Sequence, residues 1–134
     1  MSKSHCFSMF LVLLVLVVVV GCSVTPPETV AYDVVSVTDV SFAGIKRYVV
    51  RARVDNVLTT AQLESTGKSI LKEVTQTNSV DALTIFFYLR DSDVESVFTA
   101  GEAVWVAYGE WARAYDVRSG DHSHNEWVTF PPIT

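Results

Sequence analysis

The sequence predicts an α+β domain: a mostly antiparallel sheet of about four to six strands with one long amphipathic helix on one face, in the order β-β-α-β-(short α)-β-β. Three observations carry this expectation. Residues 45–54 alternate apolar and largely basic side chains, residues 63–74 hold an apolar stripe of helical period, and residues 82–89 form an almost continuous apolar run.

Ala31 to Val40 is rich in Val with Tyr and Thr, and from Ile45 to Val54 the residues Tyr48, Val50, Ala52 and Val54 alternate with Arg47, Val49, Arg51 and Arg53. Ser41-Phe42-Ala43-Gly44 supplies the turn between them, so the two segments predict a β-hairpin whose second strand has one apolar and one largely basic face. The period then changes. Leu63, Gly67, Ile70, Leu71 and Val74 lie on one helical stripe within Thr59 to Asn78, Thr59 with Gln62 fits a capping box, and Glu64 with Lys68 forms a favourable i, i+4 pair.

Ala82 to Leu89, with Ile85, Phe86, Phe87 and Tyr88, suggests a central strand covered on both faces. Ser92 followed by Glu95 suggests a single helical turn carrying Val94, Val97 and Phe98 and ended by Gly101. Further strands are expected at Ala103 to Tyr108, Trp111 to Val117 and Asn125 to Phe130, with turns at Gly109 and Ser119-Gly120-Asp121. The connection through the helix permits one parallel pair, which leaves strand order open.

The chain of 134 residues, 49% of them hydrophobic, accommodates one compact domain. Part of that apolar content lies in a leader. Phe7 to Val20 is apolar apart from Ser8, is preceded by Lys3 and is followed by Gly21-Cys22. It is shorter than the ~20 residues needed to span a bilayer and has the length of a signal-peptide core.

Val19-Val20-Gly21-Cys22 resembles the lipobox of bacterial lipoproteins. The resemblance implies cleavage before Cys22, joining of its sulfur to diacylglycerol, palmitate-type chains holding the product to a membrane, and a location in the cell envelope. Ser23 stands where an aspartate would resemble an inner-membrane retention signal, so the periplasmic face of the outer membrane is expected in a Gram-negative cell. The organisation expected is a signal peptide over 1–21, a lipidated cysteine and tether over 22–29, and a single domain over 30–134. Pro26-Pro27 biases the tether toward extended backbone, with a reach of about 20 to 25 Å.

Loss of the leader removes Lys3 and Cys6 and takes the formal charge from −5 to −6. Bulk attraction to nucleic acid is therefore not expected. Cys22 is then the remaining cysteine, so the domain has no disulfide and relies on its core.

A second resemblance rests on Ala103-Val104-Trp105-Val106-Ala107-Tyr108-Gly109-Glu110-Trp111-Ala112 and on Ser119-Gly120-Asp121-His122-Ser123. Both segments are similar to the C-terminal region of a family of small, functionally uncharacterised bacterial secreted domains, with Tyr108 where that family carries proline. This likeness implies a fold and no activity.

No nucleophile motif, phosphate-cradling glycine loop or zinc-type cysteine pair is present, so neither enzymatic activity nor a cofactor is expected. The weak candidates for metal or acid-base chemistry are His122, His124 and Glu126, beside Asp116 and Asp121. On a strand the first three would project to one side. The plainer reading is a solvated hairpin with a polar turn. Trp105, Trp111 and Trp127 occupy apolar strand positions suited to a core, although carbohydrate contacts use the same side chains.

The sheet face opposite the helix is more informative. Strand parity places Arg47, Arg51 and Arg53 outward on one strand and Phe86, Tyr88 and Arg90 outward on another. Arginine beside aromatic rings is the composition of protein-binding hot spots. Cross-strand ion pairs or covering by later elements would remove that character. The expectation is a lipid-anchored, non-enzymatic module that binds an envelope protein through this face. Two alternatives stand beside it: an envelope hydrolase or metal-dependent enzyme built on the His122 and His124 hairpin, and a structural spacer at the membrane or cell wall. Oligomeric state is left open.

Overall fold

Alternation over the first half of the chain is realised as two antiparallel strands, β1 (Tyr32–Asp39) and β2 (Arg47–Val54). They are joined by a two-residue turn in which Phe42 and Ile45 exchange backbone hydrogen bonds of 3.2 and 3.0 Å. Ala43 and Gly44 both have positive φ, as the turns that match strand twist require. In β2, Tyr48, Val50, Ala52 and Val54 are buried, while the intervening Arg47, Val49, Arg51 and Arg53 face the other side.

The computed structural model describes residue 25 and residues 28–132. The leader, Cys22 and the Pro26-Pro27 part of the tether lie outside the described residues.

Helix α1 (Thr60–Val74) starts at the expected capping box: the Gln62 N–H donates to Thr59 Oγ1 at 3.3 Å, and the Thr59 N–H donates to Gln62 Oε1 at 3.1 Å. Its buried residues are Leu63, Thr66, Gly67, Ile70 and Val74. Leu71, expected in the stripe, is only half-buried, and Thr66 takes its place, with Oγ1 accepting the Val30 N–H at 3.3 Å. Gly67 lets the helix approach the sheet closely, because a Cβ there would lie 2.7 Å from the Trp127 ring.

The chain crosses through α1 into β3 (Ala82–Leu89), which pairs parallel with β2 over all eight residues. β3 then pairs antiparallel with β4 (Gly101–Ala107), and β4 with β5 (Asn125–Phe130). Among the described residues the result is a five-stranded mixed sheet in the order β1-β2-β3-β4-β5 with one main helix, an α+β architecture. β3 is central and almost wholly buried, as its apolar run requires.

Two expected elements are corrected. Ser92 to Phe98 forms a loop rather than a helical turn, because Asp93 Oδ1 accepts the Glu95 N–H at 3.0 Å and the Asp93 carbonyl accepts the Ser96 N–H and hydroxyl. Such local bonds compete with helix propagation. Trp111 to Val117, expected as a strand, is a 3-10 helix over Trp111–Asp116. Both edges of β4 are occupied by β3 and β5, so this segment does not pair with β4, and it packs on the sheet face instead. Trp111 and Ala114, three apart as a 3-10 turn demands, pack on Ile45, Ala82, Val104 and Val106.

The main core therefore lies between α1 and the sheet, around Val50, Leu63, Ile70, Ile85 and Phe87. A smaller core sits on the opposite face under the 3-10 helix.

Candidate binding face

Register determines which side chains share the face opposite α1. One row runs across the whole sheet: Ser36 on β1, Arg51 on β2, Phe86 on β3, Glu102 on β4 and Phe130 on β5 are successive partners. A second row places Thr38, Val49, Thr84, Val104 and Val128 side by side. Arg53 neighbours Tyr88 across the parallel pair.

The structure brings most of the expected patch together and changes its character. Arg47 is turned onto the 3-10 helix, its guanidinium 4.8 Å from the Tyr115 ring centre and 5.2 Å from that of Trp111. Arg51 approaches Glu95 at 3.9 Å. Arg90 bonds both Asp33 and Asp55, so three of the four arginines are engaged with neighbours. Arg53 has no salt-bridge partner among the described residues.

Phe86 is half-buried and stacked with Phe98, ring centres 5.6 Å apart. Tyr88 is only 3% exposed, and its hydroxyl donates to the Ser96 carbonyl at 3.3 Å. Tyr88 is thus removed from the presented surface, with its hydroxyl held by the 91–100 loop.

What remains open is a groove. One hollow of about 560 Å³ is floored by Val49, Thr84, Phe86 and Val104 and walled by Arg47 and Trp111. An adjoining hollow of about 690 Å³ lies between Val97 and Phe98 on one side and Phe130, Pro131 and Pro132 on the other. Glu102 and Phe130 line both. Glu102 stands between Phe86 and Phe130 in the row, has no salt-bridge partner among the described residues, and is half-buried. Burial in this apolar setting pushes its carboxyl above the usual glutamate range. The sequence reading missed Glu102, because a single acid within Gly101-Glu102-Ala103 carries no motif.

The residues of the histidine hairpin have separate neighbours. Strand β5 begins at Asn125, so His122 and His124 lie in the preceding turn, where strand parity does not operate. His122 Nε2 lies 3.4 Å from Asp81 Oδ1, with its ring edge-on to Trp105. His124 stacks on Tyr108, which Arg113 covers at 3.8 Å. Glu126 faces Val106 in the β4–β5 pair. No group of three metal-ligating side chains is gathered among the described residues. Trp105 and Trp127 pair across β4 and β5 and pack against the main core.

Asp81, also missed, organises this end of the domain. It is 5% exposed and accepts from the Lys46 N–H at 2.8 Å, the Ser119 hydroxyl at 2.6 Å, the Gly120 N–H at 2.7 Å and His122. Burial alone would raise its pKa, but these donors stabilise the carboxylate and hold it below the usual range. Asp81 therefore ties the end of the first hairpin and the 119–122 loop to the start of β3. No helix among the described residues is long and apolar enough to cross a membrane. No protein-family model, curated protein or solved structure matches the chain.

Proposed function

We propose that this protein is a lipid-anchored envelope lipoprotein whose domain binds another protein through the groove opposite α1, without chemistry of its own. The address rests on the apolar leader and the lipobox-like Val19-Val20-Gly21-Cys22, with Ser23 favouring the outer membrane of a Gram-negative cell. In this reading α1 is the amphipathic backing of the sheet, and the short tether keeps the domain near the membrane surface.

The groove lined by Phe86, Glu102 and Phe130 carries the binding assignment. Apolar walls around a few placed polar groups suit recognition, and Val97 and Phe130 on its rim are 77% and 46% exposed. The engaged arginines make it less cationic than sequence parity implies, so aromatic and aliphatic burial supplies the affinity.

A photo-crosslinking residue placed at Val97 in the full chain, expressed in its native cell, tests this. One discrete protein adduct is expected from Val97 and none from the same residue at Lys72, on the exposed side of α1. Equal labelling from both positions, or no protein adduct at Val97, overturns the reading.

A further inference from the structure

Among the described residues, strand β5 pairs only with β4 and leaves one edge of the sheet without a partner strand. In an antiparallel pair, residues that exchange both backbone bonds alternate with residues whose N–H and C=O point away. The Tyr108 N–H donates to the His124 carbonyl at 2.8 Å, one step beyond the Ala107–Asn125 pair, and this sets the phase. Glu126, Val128 and Phe130 therefore bond to β4, and Trp127 and Thr129 direct their backbone groups outward. Neither residue's backbone takes part in the turn, loop or side-chain hydrogen bonds of the described residues.

The other edge is less suited to pairing, because β1 is interrupted by an irregularity between Val34 and Ser36. β5 is regular from Ala107–Asn125 to Glu102–Phe130, and Pro131, without an N–H, ends the free stretch. At that end lies the 690 Å³ hollow, whose lining holds a single charged residue, Glu102.

We propose that β5 is a docking edge for an extended peptide segment of the partner, which adds as a sixth strand and brings a lysine or arginine to Glu102. This deepens the protein-binding reading and rests on it. Backbone pairing satisfies Trp127 and Thr129, the hollow receives apolar side chains from one face of the added strand, and the base neutralises a carboxylate that has no cation of its own. The added strand lies two interstrand spacings from β4, about 10 Å, which facing glutamate and lysine or arginine side chains span. The basic stem crosses the exposed Phe130 ring, a contact suited to its methylenes and charge. A second copy of β5 fits poorly, since Asn125–Phe130 contains neither Lys nor Arg.

The test uses the full lipidated protein in detergent and fluorescein-labelled heptapeptides Thr-Xaa-Thr-Lys-Thr-Xaa-Thr, with Xaa varied among Val, Leu, Phe and Tyr. Fluorescence anisotropy should find binding members whose norleucine-for-lysine analogues are about tenfold weaker, as a partly desolvated ion pair implies. Alternate N-methylation of the backbone should abolish binding. Glu102→Gln should erase the difference between lysine and norleucine while keeping the affinity for the norleucine peptide. The inference is overturned if no member binds, if N-methylated peptides bind equally, or if Glu102→Gln retains the lysine preference with an unfolding midpoint no lower than that of the wild type. Persistence of the Val97 adduct alongside any of these results confines the failure to strand addition; its loss removes the protein-binding reading itself.

Discussion

Arg51 and Phe86 are direct neighbours in the parallel β2–β3 pair, on the sheet face that α1 does not cover. The crossover through α1 creates that adjacency, joining a basic strand face to an aromatic one. Glu95 then approaches the guanidinium and Phe98 stacks on the ring, so the pair becomes part of a groove wall rather than a bare cationic patch.

Burial on α1 gives the first prediction. Ile70 is fully buried against the sheet, and Ile70→Ala should cost about 2 to 5 kcal/mol through lost contacts and the cavity left behind. Half-buried Leu71 should lose less on conversion to alanine, and exposed Lys72→Ala should stay within about 0.5 kcal/mol of the wild type. Urea unfolding midpoints check the order, and equal midpoints for Ile70→Ala and Lys72→Ala would refute the helix orientation.

Asp81 should make the fold acid-sensitive. Its folded pKa lies below the unfolded value, so its stabilisation is present above the unfolded carboxylate range and is lost as pH falls through the folded pKa. Asp81→Ala strands the Lys46 and Gly120 N–H groups and should cost about 1 to 3 kcal/mol near neutral pH, with a smaller cost in acid. Unfolding curves of both proteins across that range test it. A difference independent of pH would argue against a carboxylate role.

Glu102 has the opposite sign. Its folded pKa is raised, so between the unfolded and folded values the native state holds more protons, and stability falls as pH rises through this window. Glu102→Gln should remove that slope and unfold later than the wild type at neutral pH. A midpoint unchanged or lowered at neutral pH would show that the carboxylate is better solvated than its setting between Phe86 and Phe130 implies.

The anchor has its own outcome. Mass spectrometry of the membrane-bound protein should find an acylated Cys22 as the first residue, and Cys22→Ser should stop lipidation and release or misprocess the chain. An intact Met1 on the membrane-bound protein would remove the lipoprotein assignment.

Periodicity by itself determined the turn at Ser41–Gly44, the capping box at Thr59, the inward set of β2, the central position of β3 and the span of β5, because each depends on neighbours a few residues away. The outward parity of Arg47, Arg51, Arg53 and Phe86 was legible for the same reason. Tertiary structure alone decided what happened to those side chains. The pairing of β2 with β3 placed Arg51 beside Phe86, the 91–100 loop bound the Tyr88 hydroxyl, and packing on Ile45, Ala82, Val104 and Val106 went with a 3-10 helix rather than a strand at Trp111. Glu102 and Asp81 became distinctive only through contacts distant in sequence, Phe86 and Phe130 for one, Lys46, Ser119 and Gly120 for the other. A carboxylate's role follows from its desolvation and its donors, and those are properties of the folded neighbourhood rather than of the residue.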